Sequence, residues 1–584
     1  MKKFGLYIVS LFVLLLMVMP AIQSAFHLFR EQPLNGAFKL AIKPSFSWGK
    51  WNSGEFQGDM EQYLKDHTGF RNFFVRLQNQ VDFMAFGQAN AEGAIVGKNK
   101  QLFEYDYIRS WLAKDYPGDS FIEKKLQRTK YVQEYLKREK GIDLVIVFEP
   151  GKASFYPEYI PECYSSQKNG LSTYELYREK AADLGIDYID FQQYFLQLKG
   201  KTDYPVFPRY GTHWSVYGMW FAADSILKTI ESKRGINLTE IQRNSMVISS
   251  EPFDTDDDVL KTMNLLFPPR GEKLAYPEFS FDTAHPGNKP MVLVVADSYY
   301  WNIFNTRIPK FLFANEAFWY FNTLVYPDHY LRPSYTKDLN LQEEVEKQDI
   351  IFLMVTERFV HKFDWTFIDN LYTLYTPEWL MDPVYDKINN IMQVESWYVS
   401  MIEKAVDKEQ SLEEALIQEG EFMLFQSDTL FYMVNYGPEH FSCIIENDTN
   451  WMDYIHKKAI DQQKTTEEML LADALYIFNQ NYPGLYKLNR GMAAMEDGIH
   501  SDQMMLDSLK LQAASFNFEP KLFIRIKALQ LYQEEEIQKT MRAIRNDPSW
   551  LEHVKQKAAK KGILLDQMIR LDAEYQWNER MKKF

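Results

Sequence analysis

Cysteine is almost missing from this 584-residue chain: Cys163 and Cys443 cannot build a disulfide framework or a four-sulfur metal site. There is no His-Glu-x-x-His pair and no CxxC, and the ten histidines are scattered, so no metal motif is present. The glycines form neither a phosphate-binding loop nor a dinucleotide fingerprint, and no cofactor is expected. Basic tracts are absent too. Lys and Arg number 65 against 80 Asp and Glu, a formal charge of −15, which leaves no positive face for nucleic acid. What remains is an ordinary globular balance, 46% hydrophobic and 25% charged, which excludes wholesale disorder, collagen and a multi-span membrane protein. The length suits about two to four domains. The 42 Phe, 36 Tyr and 13 Trp supply either a large core or flat platforms that stack on sugar rings.

Lys2 and Lys3 precede an uncharged run, and residues 5–22 contain no charge at all. A basic pair before an apolar stretch marks a secretory signal or a retained membrane anchor, with the bulk of the chain outside. Residues 1–25 are assigned this role, and 26–94 form a helical segment with an amphipathic stretch near 60–84. From 95 to 382, short β-branched runs (142–148, 186–189, 291–295, 350–355) alternate with helical patterns such as 121–139 and 218–231. That alternation predicts an α/β domain, a parallel sheet flanked by helices, with its chemistry beyond the carboxyl ends of the strands. Those ends read Glu149-Pro150-Gly151-Lys152, Asp190, Asp297-Ser298 and Thr356-Glu357-Arg358.

From 383 to 584 the strand signal vanishes, and an all-α region is expected. Trp397, Trp451 and Trp550 are each followed eight residues later by Ala405, Ala459 and Ala558. Leu412, Thr466 and Leu565 follow at fifteen, and Leu416, Leu470 and Ile569 at nineteen. Each copy reads as two helices joined by a short turn.

Ser298 closes a strand, where backbone amides can also stabilise an oxyanion. His213, in Tyr-Gly-Thr-His-Trp-Ser, supplies a base whose pKa suits removing the serine proton. Several blocks, in order, resemble the SGNH-hydrolase-like proteins of the alginate O-acetyltransferase type (AlgX/AlgJ-like, Asp-His-His-Trp class). They are residues 61–71, 97–103 and 152–161, Thr212-His213-Trp214, Asp297-Ser298 and Thr356-Glu357-Arg358-Phe359. The resemblance spans roughly 50–370 and implies a flavodoxin-like sheet.

It also implies a serine acyl-enzyme mechanism. Ser298 would take an acetyl group and His213 would act as base, with the Ser298 amide and Asn302 holding the oxyanion. Arg358, Glu357 and Tyr210 would contact substrate or support the site. The function implied is O-acetylation of an exported polysaccharide in the periplasmic cell envelope. A multi-span membrane acyltransferase would supply acetyl, and the N-terminal segment would tether the protein to the inner membrane. An acetyl esterase or a non-catalytic glycan-binding protein uses the same fold.

One departure matters: the family's acid, two residues before the histidine, is Gly211 here. Another carboxylate could replace it, Asp203 or one of Asp256, Asp257 and Asp258. Otherwise a carbonyl orients the ring in a Ser-His dyad, or the site only binds. The acidic run 254–258 itself reads as a solvated loop.

Overall fold

The computed structural model describes the chain except residues 1, 37–38, 254, 330–331, 378–379 and 584, and except the side chains of 2–6, 8–10, 12, 16 and 328–329. The described strands are β1 (Ala94–Val96), β2 (Leu102–Glu104), β3 (Asp143–Glu149), β4 (Tyr188–Asp190), β5 (Ile241–Ser249) and β6 (Leu274–Phe281). They continue with β7 (Val292–Ala296), β8 (Ala317–Tyr320), β9 (Leu324–His329), β10 (Arg332–Tyr335) and β11 (Ile350–Thr356).

Seven strands make the main sheet, in the order β10-β9-β8-β7-β11-β3-β4. The five from β8 to β4 run parallel, whereas β9 pairs antiparallel with both β8 and β10. The parallel sheet expected from sequence is thus present in five strands, and two strands paired antiparallel extend it. Connections of a few residues join β8 to β9 and β9 to β10, and so short a link can only reverse the chain. Every residue of β3, β7 and β11 is buried, which explains their near-continuous apolar runs. The helix Val216–Arg234 flanks this core; Ser215 caps its start by accepting from Gly218 N, and Gly235 ends it at φ 63°. Two antiparallel pairs stand apart, β1 with β2 and β5 with β6.

The chain divides into two compact units that interleave in sequence. The first comprises residues 1–115, 141–178 and 187–363; the second comprises 116–140, 179–186 and 364–584. The boundary expected near 383 is thus displaced, and the reason is a buried charge cluster in the second unit. Lys125, on the helix Asp119–Tyr135, is fully buried; its Nζ donates to Asp364 Oδ1 (2.6 Å), to Asp369 and to Asn389 Oδ1 (3.2 Å). Arg128 adds a bond to Asp369 Oδ1 at 2.9 Å. Removing the ammonium takes the counter-charge from the buried Asp364, while Asp369 keeps Arg128. Lys125→Met is expected to lower stability by about 3–5 kcal/mol, read from denaturant unfolding of the whole chain.

Three helix pairs of the second unit carry the repeat: Glu395–Asp407 with Leu412–Ser427, Thr449–Asp461 with Thr466–Asn481, and Pro548–Lys561 with Leu565–Met581. Ala405, Ala459 and Ala558 are buried, as are Leu416, Leu470 and Ile569 on the second helix of each pair. Each pair also has one lysine-to-carboxylate bridge at the same spacing: Lys404–Glu419, Lys458–Asp473 and Lys557–Asp572.

Residues Lys2–Phe26 form one helix. The anchor expectation falls on it, and many of its side chains lie outside the described residues. Among the described residues no helix is long and apolar enough to cross a membrane.

Candidate active site

The site is built at the carboxyl ends of three adjacent strands, β7, β11 and β3. Strand β7 delivers Asp297 and Ser298 into a turn that opens the short helix Tyr300–Asn305. Ser298 Oγ lies 2.9 Å from His213 Nε2, and His213 Nδ1 lies 2.6 Å from Asp258 Oδ2. A hydroxyl, an imidazole and a carboxylate are therefore bonded in series. Burial works against the His213 imidazolium, and the Asp258 carboxylate more than offsets it, so the ring's pKa stands above its ordinary value.

Asp258 comes from an excursion between β5 and β6, far from the place the family uses. Two contacts fix its carboxylate besides the histidine: Thr212 N donates to Oδ1 at 2.8 Å and Val259 N at 2.7 Å. Gly211 is what lets that excursion come close. A Cβ there would lie 2.5 Å from Thr255 O and 2.9 Å from Asp256 O, distances that real Cβ atoms do not tolerate. The missing side chain makes room for the segment that carries the acid.

The acidic run is consequently no solvated loop. Asp256 is 2% exposed and Asp258 is bound to the histidine, while position 254 lies outside the described residues. Asp203, the other candidate, is exposed on the preceding loop and does not take the His213 bond.

The loop bearing the histidine is held at each carbonyl from 209 to 212. Arg209 O accepts from Leu102 N (2.9 Å) and from Lys152 Nζ (3.0 Å), and Tyr210 O accepts from Leu260 N (3.2 Å). Gly211 O accepts from Lys152 Nζ at 2.5 Å, and Thr212 O from the Tyr299 hydroxyl at 2.9 Å. Lys152 is fully buried, and burial pushes its ammonium down to about 7. Sequence reading placed Lys152 at a strand end without a role. Its signal is a lysine just past a wholly buried strand with an apolar middle, Leu144 to Phe148, where a buried ammonium needs several acceptors.

Next to Ser298, Asp297 Oδ1 accepts from Tyr299 N (3.0 Å), and Oδ2 accepts from Thr356 N (2.9 Å) and Thr356 Oγ1 (2.7 Å). Glu149 is paired in register with Thr356 and fully buried. Burial first, and the neighbouring Asp297 carboxylate second, raise its pKa well above the usual carboxylate range. An acid that stays neutral in the fold but ionises in the unfolded chain destabilises the fold as pH rises. The loss begins above the ordinary glutamate value and runs at up to about 1.4 kcal/mol per pH unit until the raised value is reached. Glu149→Gln, neutral at every pH, is expected to raise Tm near pH 8 and leave it unchanged near pH 4, as calorimetry would show.

The remaining sequence candidates fall into other positions. Tyr210 is buried among Phe83, Leu102, Val259 and Leu260, so it packs the core instead of offering a face to a sugar. Asn302 is buried, and its Nδ2 donates to Thr255 Oγ1 at 3.1 Å, which ties the helix after Ser298 to the segment that carries Asp258. Glu357 is fully buried and accepts from Ser154 Oγ; its carboxylate fills the space beside Gly151, where a Cβ would collide with it. It supports the loop after β3 and is closed to substrate. Arg358 pairs with Glu104 and lies 4.5 Å over the Phe359 ring and 5.5 Å from that of Tyr107. Among the described residues no group of three or more His, Cys, Asp or Glu could hold a metal ion.

A serine hydrolase-like constellation at the ends of a helix-flanked mixed sheet defines an SGNH-like domain. Residues 95–263 match the family profile described as SGNH hydrolase-like domain, acetyltransferase AlgX; this stretch contains His213 and Asp258 and stops before Ser298. Curated proteins similar to part of this chain carry the AlgJ name. The chain is 26% identical over 179 residues to a probable alginate O-acetylase AlgJ of Azotobacter vinelandii, covering 31% of this chain and 44% of that one. It is 24% identical over 191 residues to the same-named protein of Pseudomonas fluorescens, covering 32% and 45%. The chain thus spans less than half the length of the curated relatives it matches. The solved O-acetyltransferase domain of Pseudomonas putida AlgJ is 16% identical and aligns with a TM-score of 0.31 over 48% of this chain and 98% of that one, a score too low to define a shared fold by itself.

Proposed function

We propose that this protein is an O-acetyltransferase that acetylates an exported polysaccharide through an acyl-serine intermediate. The observation that carries the reading is the unbroken series Ser298–His213–Asp258. His213 Nε2 takes the proton of Ser298 as Oγ attacks the acetyl carbonyl of a donor ester. The Ser298 amide stabilises the oxyanion, and the imidazolium, steadied by Asp258, returns the proton to the departing donor oxygen. A sugar hydroxyl then gives its proton to the same nitrogen, attacks the acyl-serine and leaves as the acetate ester, and the hydroxyl of Ser298 is restored.

The named relatives are probable alginate O-acetylases, which supports a polysaccharide acceptor and an envelope location. The uncharged run 5–22 after Lys2 and Lys3 supports a membrane attachment, and the donor would be a multi-span membrane acyltransferase that carries acetyl across the bilayer. Incubation with a chromogenic acetate, quenched in acid, is expected to leave one acetyl group on the peptide containing Ser298, found by mass spectrometry. Acetylation elsewhere with undiminished turnover in Ser298→Ala would end the proposal. Adding a glycan acceptor and weighing the product separates transfer from hydrolysis.

A further inference from the structure

The helix Arg71–Val81 is built inside out. A helix on the surface of a soluble domain turns its apolar stripe inward. Here Phe73, Phe74, Leu77, Val81 and Met84 face outward along this helix and the turn that follows it, with Met84 73% exposed. Of its polar residues Gln78 is exposed, whereas the last two, Asn79 and Gln80, face the protein. Asn79 and Gln80 are buried; Asn79 Nδ2 donates to Met263 O at 2.8 Å, and Gln80 Oε1 accepts from Phe267 N at 2.8 Å. Arg76 is also spent inward, on Pro33 O at 2.8 Å. These bonds fix the helix's rotation, so the stripe cannot roll under. An exposed apolar surface so specified marks a contact with something apolar.

Position says what. The apolar helix Lys2–Phe26 ends directly on this layer: Ser24 Oγ donates to His67 O at 2.7 Å, and a Cβ on Gly69 would lie 2.3 Å from Pro20 O. The chain then doubles back, and Glu31 accepts from Phe70 N (2.7 Å) and Asn72 N (3.0 Å) at the start of the inverted helix. Whatever surrounds the uncharged run therefore reaches the stripe as well. Earlier in the same unit Trp48 and Trp51 are exposed and grouped around Phe46, and indole rings settle at the water–lipid boundary.

We propose that the layer formed by residues 46–86 rests on a lipid bilayer, with Phe73, Phe74, Leu77, Val81 and Met84 sunk into its interface beside the emerging N-terminal helix. The proposal rests on the reading of residues 5–22 as a membrane segment. It would give the acyltransferase a fixed height above the bilayer, where an acetyl donor crossing the membrane arrives.

The test uses the full chain with Cys163→Ser and Cys443→Ser, a nitroxide on Phe74→Cys or Met84→Cys, and a control nitroxide on Leu511→Cys, an exposed apolar position in the helical unit. Each is reconstituted in phosphatidylcholine–phosphatidylglycerol vesicles, and collisions with oxygen and with a water-soluble nickel chelate are compared. The expected result is an oxygen-to-nickel ratio several-fold higher at positions 74 and 84 than at 511. Equal ratios at the three positions overturn the proposal, as does shielding of 74 and 84 from both reagents, which reports a protein partner. Failure to float with the vesicles removes the membrane segment and this surface together. Acetate turnover measured on the same samples is independent of all of these: turnover with aqueous labels sinks the surface and leaves the acyl-transfer reading standing.

Discussion

Asp258→Asn is expected to lower turnover about ten-thousand-fold while leaving the fold intact. The asparagine oxygen can still accept from Thr212 N or Val259 N, so the segment keeps its place. An amide group facing the ring, however, favours the tautomer with its proton on Nε2, the nitrogen that must accept from Ser298. Loss of the carboxylate also removes what offsets burial of the imidazolium. The pH profile should respond in a definite direction. Because His213 works as a base, activity falls as pH drops through its pKa, and the parent's raised value puts that limb above the ordinary imidazole range. In Asp258→Asn the limb should move to lower pH, with the residual rate flat across the parent's inflection. Asp203→Asn, at an exposed position away from the ring, should match the parent in rate and profile. The reverse pattern would assign the acid to Asp203, and two silent variants would leave a Ser-His dyad.

Ser298 is legible because strand ends announce themselves, and His213 through the Thr-His-Trp motif before a helix. The runs before Asp297 and Thr356 are buried on both faces, so their apolar character needs no help from tertiary context. The acid is harder to see. Gly211 leaves open a carboxylate from Asp203 or from residues 256–258, or none at all, and which of three consecutive aspartates meets the ring depends on where the helix Asp258–Thr262 begins. Adjacent residues on such a turn point in different directions. The same effect misplaces Tyr210, which flanks the histidine in sequence yet turns into a separate cluster with Phe83 and Leu102. Strands β9 and β10 escape notice because each is interrupted by a proline, Pro327 or Pro333, a pattern suited to the edge strand β10 and unexpected in β9, which is paired on both sides. The helical repeat is visible from Trp, Ala and Leu alone, and its lysine-to-carboxylate bridges at a constant spacing were available as a further signal. The interleaving of the two units could not be read, since it depends on Lys125 finding Asp364 and Asp369 across more than two hundred residues.

Restoring the family's acid should do harm. Gly211→Asp places a Cβ where Thr255 O and Asp256 O already sit, 2.5 and 2.9 Å away. Both atoms are backbone, so relief requires moving the whole segment, and that segment carries Asp258. Gly211 O is meanwhile held by the buried Lys152, and Tyr210 O by Leu260 N, so the histidine loop cannot yield instead. Overpacking of this kind costs about 1–3 kcal/mol of stability. The larger effect should be on chemistry, because a displacement of about 1 Å between base and orienting acid is enough to cost a hundredfold or more. Gly211→Asp is therefore expected to lose activity on the scale of Asp258→Asn, and the double variant should recover nothing. Gly211→Ala, which carries the same Cβ without a charge, should fall with it. If Gly211→Asp/Asp258→Asn instead regained turnover over Asp258→Asn alone, the relatives' arrangement would still be accessible to this loop, and the close approach at Gly211 would not be what selects the acid.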